Sequence, residues 1–128
     1  MKILIWNVRG AQKPSFRSAF GRLLQLHRFD ICILLETRLS GTSLVRFRRM
    51  ISRSWDSYAI DSLGLSGGIV VLWKADTIKV DAFHHCGQQV ALVISDGSSG
   101  PWLLSGVYAS TDYRVRRTLW AEIKSLLA

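Results

Sequence analysis

Residues 30–40 read Asp-Ile-Cys-Ile-Leu-Leu-Glu-Thr-Arg-Leu-Ser, and this stretch decides the fold. Its five consecutive apolar residues, Ile31 to Leu35, are too few for a helix. Their β-branched content predicts a strand buried on both faces. The run ends on a carboxylate, Glu36. A glutamate left buried and unpaired is costly, yet the carboxyl ends of strands in open α/β sheets are where ligands bind. Glu36 is therefore either a strand-end residue that has reached solvent or the charge on which a site is built.

Working outward, residues 2–8 predict a first strand that ends on Asn7 and turns at Arg9-Gly10. A helix follows with Ser15 as its N-cap. Phe16, Phe20, Leu23, Leu24 and His27 form its apolar face, with Arg17, Arg22 and Arg28 away from it. Gly21 interrupts that helix at some cost. Two strands joined by one helix are most simply parallel with a right-handed crossover. That geometry sets Asn7 and Glu36 at one edge of a sheet.

Downstream, Ser43 is expected to cap a short helix over 44–52 whose outer side carries Arg46, Arg48, Arg49 and, just beyond, Arg53. Such a cluster is either a solvated face or a face that tracks phosphates. From Trp55 onward the pattern changes to short strands over 55–61, 68–73, 77–83, 89–95 and 102–108, an antiparallel meander with a break at 85–87. A last helix is predicted from Asp112, capped by Thr111 or Asp112, with Val115, Leu119, Trp120, Ile123 and Leu126/Leu127 as its stripe. No repeat or linker divides the chain, so 1–128 reads as one α+β domain.

The 128 residues carry 17 Lys+Arg against 9 Asp+Glu, a formal net charge of +8. Twelve of the 17 cations are Arg, whose planar forks pair with phosphate in a bidentate way and favour a polyanionic partner. Cys32 and Cys86 do not make a disulfide framework in a chain of this size. The apolar opening at 1–6 is cut by Asn7, Arg9 and Gly10, which argues against a signal peptide. No apolar run approaches the roughly 20 residues of a membrane helix. An intracellular, reducing compartment is the expectation.

Asn7, Glu36 and Tyr108 each close a predicted strand. A hard divalent ion takes oxygen ligands and often only one or two carboxylates from the protein. Glu36 suits that duty. The Asn7 amide is able to orient a phosphate, and the Tyr108 phenol to donate to a phosphate oxygen where charge develops.

Four segments appear in order: Ile-Trp-Asn-Val-Arg-Gly (5–10), Leu-Leu-Glu-Thr-Arg-Leu-Ser (34–40), Ser-Gly-Gly-Ile-Val-Val-Leu-Trp (66–73) and Gly-Val-Tyr-Ala-Ser (106–110). With them the chain resembles the endonuclease/exonuclease/phosphatase superfamily. Its wording is most similar to the apurinic-endonuclease-like domain of plant non-LTR (LINE-type) retrotransposons, where Arg-Arg-Thr-Leu-Trp (116–120) also fits the following helix. The resemblance implies a DNase I-like four-layer fold, an α/β sandwich of two packed mixed β-sheets flanked by helices.

It also implies Mg²⁺- or Mn²⁺-dependent cleavage of a DNA phosphodiester, which in an active retroelement would take place in the nucleus. Glu36 matches the family's metal-binding glutamate, Asn7 its strand-one asparagine, which also stands at the metal, and Tyr108 its active-site tyrosine. Arg9 stands where apurinic endonucleases often carry Asp. Arg9, Arg38, Arg46, Arg48, Arg49 and Arg53 are the expected DNA contacts.

The family's Gly-Asp-Phe-Asn and Ser-Asp-His segments do not occur in these 128 residues. The resemblance therefore implies the N-terminal portion of such a domain, with a metal end and no general base. His84 and His85 read as structural or surface residues. Half a sandwich should leave the apolar face of one sheet uncovered and in want of the C-terminal half or another chain. Two alternatives stay open: a non-catalytic nucleic-acid-binding remnant, and a phosphatase or phospholipase of small phosphoesters, which the Arg-rich balance disfavours.

Overall fold

The computed structural model describes residues 1–64, 66–86, 89–97, 100–108 and 112–127, except the side chains of Ala82, Phe83 and Cys86. In chain order the elements are β1 (Ile3–Asn7), α1 (Pro14–Leu26), β2 (Ile31–Leu35), α2 (Gly41–Met50), β3 (Trp55–Ile60), β4 (Ile69–Lys74), β5 (Lys79–Cys86), β6 (Gln89–Ser95), β7 (Trp102–Val107) and α3 (Tyr113–Leu127).

The double-sided apolar run does become a central, fully buried strand. The first sheet has the order β1-β2-β4-β3. β1 and β2 are parallel, and the other pairs are antiparallel. Successive side chains of a strand point to opposite faces. On one face Cys32 and Leu34 join Val70 and Leu72 beneath Phe16, Phe20, Leu44 and Phe47 of the two helices. On the other, Ile31, Ile33 and Leu35 join Ile69 and Val71 against Val90, Leu92 and Ile94. Burial pushes the Cys32 thiol up to about 12, so it stays protonated and packs as a small apolar residue.

The second sheet is the meander β5-β6-β7, antiparallel throughout. Only the first sheet is therefore mixed. The chain reaches the second from the end of β4 by a tight turn, in which Ile78 N–H donates to Lys74 O at 2.9 Å. A register shift between Val80 and Ala82 breaks the alternation expected over 77–83. The strand then runs on through His85 and Cys86, where a break was predicted.

Two rows of residues fix how the sheets stack. Tyr58, Val71 and Ile33 lie across the first sheet; His85, Val90 and Gly106 lie across the second. Tyr58 Oη meets His85 Nδ1 at 2.5 Å. A Cβ on Gly106 would stand 2.8 Å from Ile33 Cγ2. β5 thus lies over β3 and β7 over β2, and Gly106 is glycine because the backbones cross too closely for a side chain. Gly106→Ala is expected to cost about 1–3 kcal/mol by overpacking, read as a lower urea midpoint with the slope unchanged.

α3 packs on the outer face of the second sheet, where Leu119 is fully buried and His84 Nε2 lies 3.7 Å from Glu122 Oε2. The layers are then helices, sheet, sheet, helix, an α+β fold. The expected uncovered sheet face is reduced to the edge strand β1, whose Ile5 lies on the inter-sheet face beside Ile33. β5–β7 cover β2 and β4, and the exposed apolar residues include Ile5 on the edge strand β1 and Val115, Trp120 and Leu127 on α3. The predicted stripe of α3 is therefore only partly buried.

Helix starts differ from expectation too. α1 begins with Pro14 at its first turn and Lys13 as N-cap, so Ser15 lies inside it and His27 is its exposed C-cap. The N-cap of α2 is Ser40, with Ser43 at N3 of a capping box; Ser43 Oγ accepts from Ser40 N–H at 3.0 Å. Asp112 Oδ1 accepts from Arg114 N–H at 2.9 Å and caps α3. The alternative cap at Thr111, and residues 87 and 109–110 of the predicted break and last motif, lie outside the described residues.

Candidate active site at the strand edge

The site grows from the parallel pair β1–β2, in which Asn7 stands beside Leu35. Past the last ladder position the two chains stay zipped. Val8 N–H donates to Leu35 O at 3.0 Å, Gly10 N–H to Glu36 O at 2.9 Å and Ala11 N–H to Thr37 O at 2.9 Å. On the other flank Thr37 N–H donates to Gly68 O at 3.1 Å and Arg38 N–H to Gly67 O at 2.9 Å. Residues 36–38 have left the strand but are clamped from both sides, with Thr37 fully buried between them.

Inside this clamp the backbone is strained. Arg9, Glu36 and Arg38 have φ of 51°, 55° and 56°, and among the described residues they are the three non-glycine residues with positive φ. A left-handed conformation costs an L-residue about 1–2 kcal/mol. Such strain persists where surrounding bonds over-determine it, and it concentrates at functional sites. All three residues are among those singled out from the sequence.

Glu36 is mostly buried, its side chain 17% exposed, and its Oε1 accepts from Arg38 Nη2 at 3.1 Å. Glu36 Oε2 takes no partner among the described residues. Arg38 Nε is buried and, among the described residues, without a hydrogen-bond acceptor. Asn7 and Arg9 are exposed at the same edge.

Tyr108 follows β7 directly and packs against the inter-sheet core. β5 starts beside the end of β4, the edge away from Glu36, because Ile31 pairs with Trp73. β7 runs in the same direction as β5, two antiparallel steps away. Tyr108 therefore emerges two residues beyond Gly106, as Leu35 lies two beyond Ile33. Asn7, Glu36 and Tyr108 share one edge of the sandwich.

The arginine cluster is divided. α2 starts immediately after the site and rises about 15 Å over its ten residues. Arg46, in its second turn, lines a small cleft with Ala11 and Leu39 beside the site. Arg48, Arg49 and Arg53 lie toward the opposite edge, where Trp55 pairs with Lys74. Arg9 and Arg38 are thus brought to Glu36, Arg46 flanks them, and the other three are not gathered there.

Several residues of this edge escape sequence reasoning. Gly68 has φ of +91°, and a Cβ on it would stand 2.6 Å from Thr37 Oγ1. The Gly-Gly pair before β4 was visible as a loop signal, but its role as the clamp was not. His85, read as structural or surface, lines a cavity of about 310 Å³ with Asp61, Ser66 and Gly68 at this same edge. Asp61 Oδ2 is used to accept from Gly41 N–H at 3.0 Å.

Among the described residues no group of three His, Cys, Asp or Glu could hold a metal ion. The residues do fit a hard ion that draws most of its ligands from water and phosphate: one carboxylate with an oxygen to spare, and an amide at the same sheet edge.

No protein-family model matches this chain, and no curated protein matches it. Solved structures do. A functionally unknown conserved protein from Enterococcus faecalis superposes with a TM-score of 0.73 at 17% identity over 99% of this chain and 60% of that one. The AP endonuclease LMAP of Leishmania major gives 0.67 at 15% over 92% and 43%. The APE2 catalytic domain of Xenopus laevis gives 0.64 at 19% over 99% and 52%. The fold is therefore DNase I-like. The chain spans 43 to 60% of the length of these structures.

Proposed function

We propose that this edge is the metal-binding and phosphate-binding part of a phosphodiesterase site that cleaves DNA. The observation that carries the reading is the clamped segment around Glu36, where Arg9, Glu36 and Arg38 are all held left-handed. The AP endonucleases among the structural neighbours support a nucleic-acid substrate. The four motifs at 5–10, 34–40, 66–73 and 106–110 support the narrower setting of a retroelement endonuclease that nicks target DNA in the nucleus. Glu36 and Asn7 would hold Mg²⁺ or Mn²⁺, which when bound neutralises phosphate charge and polarises the scissile group. Arg9 and Arg38 receive the phosphodiester, Arg38 through the part of its side chain that reaches solvent. The Asn7 amide orients the phosphate and the Tyr108 hydroxyl donates to an oxygen on which charge builds.

A second reading, DNA binding without cleavage, is favoured by one observation. The Glu36 oxygen without a partner, Oε2, is the one an ion would take, and Asp61 accepts from Gly41 N–H, so neither carboxylate is left over to deprotonate water.

Supercoiled plasmid incubated with Mg²⁺ or with EDTA separates the two. Relaxed product with Mg²⁺ alone supports cleavage; retention of plasmid in both, with no relaxed form, supports binding only. Arg9→Ala is expected to flatten the dependence of log affinity on log salt by about 0.9, one phosphate contact. Arg53→Ala should leave that slope unchanged for a short duplex.

A further inference from the structure

The charged residues of the layer formed by α1 and α2 are all cationic. Residues 8–29 and 37–55 hold five Lys or Arg each and no Asp or Glu. Between α1 and α2 this layer opens into a groove of about 300 Å³, floored by Leu72 and walled by Leu24, Met50, Ile51 and Trp55, with Arg17 at its rim. Gly21 forms a notch in its wall, and a Cβ there would meet nothing within 4 Å. A mid-helix glycine costs about 1 kcal/mol relative to alanine. The packing of α1 does not call for it.

The groove's apolar surface does not suit nucleobases. Phe16, Phe20 and Phe47 are all within 5% of full burial and show no ring face to stack on. The Trp55 ring is covered by Lys74 Nζ at 5.9 Å from its centre. What remains is an aliphatic slot with Met50 half-exposed and Arg17 at its rim. We infer that this groove docks an amphipathic helix of a partner protein, its apolar ridge seated between α1 and α2 and its flanks acidic. Charge complementarity with a layer devoid of carboxylates selects the acidic flanks and steers association. The surface lies across the sheet from the second β-sheet and does not depend on the reading of the strand-edge site.

The probe is a fluorescein-labelled peptide of about five helical turns, with Leu at i, i+3, i+4 and i+7 and Glu elsewhere, compared with a scrambled peptide of the same composition. Anisotropy titration of the full chain is expected to show saturable binding of the patterned peptide and at least about tenfold weaker binding of the scrambled one. Gly21→Leu, which fills the notch, should weaken the patterned peptide about tenfold or more with unchanged circular dichroism. Met50→Glu, a second variant at the groove mouth, should do the same through repulsion. Equal binding of both peptides, or full binding by both variants, would overturn the inference. So would displacement of the peptide by a single-stranded oligonucleotide whose own binding is lost in Gly21→Leu.

Discussion

Gly68→Ala is expected to be among the most damaging single substitutions in this chain. Its φ of +91° is one that an L-residue adopts only under strain, at about 1–3 kcal/mol. The new Cβ would also stand 2.6 Å from Thr37 Oγ1 and 3.2 Å from both Arg38 N and Ser62 Cβ. Backbone does not yield cheaply, so overpacking adds about 1–3 kcal/mol more. Together these reach a large share of the roughly 5–15 kcal/mol that holds a domain folded. Gly97→Ala isolates the first contribution, because Gly97 has φ of +83° and nothing within 4 Å of a Cβ. In urea unfolding Gly68→Ala should fall well below Gly97→Ala. Equal losses would mean that Gly68 does not clamp residues 37 and 38.

The second large effect is on activity. Glu36→Gln keeps size and shape but removes the one charge that faces Arg38 and the proposed ion. Under the cleavage reading nicking should drop at least about 100-fold, or 2.7 kcal/mol of barrier. DNA affinity measured in EDTA should hold or rise slightly, since a negative charge has left a phosphate site. Stability should change little, because the Arg38 partner is 36% exposed and such pairs contribute about 0–1 kcal/mol. Nicking by Glu36→Gln at the parent rate would remove Glu36 from the proposed chemistry.

How far the sequence reached depended on whether local pattern or tertiary contact decided each feature. The burial of Ile31–Leu35 on both faces followed from an uninterrupted apolar run. The meeting of Asn7 and Glu36 at one edge followed from reading strand–helix–strand as a parallel pair. Tyr108 reached that edge only through its motif, since nothing in its own segment says which way β7 runs. The left-handed conformations of Arg9, Glu36 and Arg38 were invisible, because bonds with the Gly67 and Gly68 carbonyls and with the 8–11 loop impose them from a distance.

Helix starts failed for a local reason. Two serines three residues apart, Ser40 and Ser43, each satisfy a capping preference, and the box they form puts the start three residues earlier than expected. The stripe of α3 failed for the opposite reason. Its periodicity was real, but which part is buried depends on the sheet beneath it, where only Leu119 is fully enclosed.

The central claim is that Asn7, Glu36 and Tyr108 share an edge built to hold a divalent ion. Paramagnetic broadening by Mn²⁺ of the amide spectrum of the ¹⁵N-labelled chain tests it without requiring turnover. Substoichiometric Mn²⁺ should erase the signals of Asn7–Gly10, Glu36–Arg38 and Tyr108 first, leave those of Arg48, Arg49 and Arg53 intact, and lose this pattern in Glu36→Gln. Broadening centred elsewhere, or unchanged by Glu36→Gln, would contradict the account.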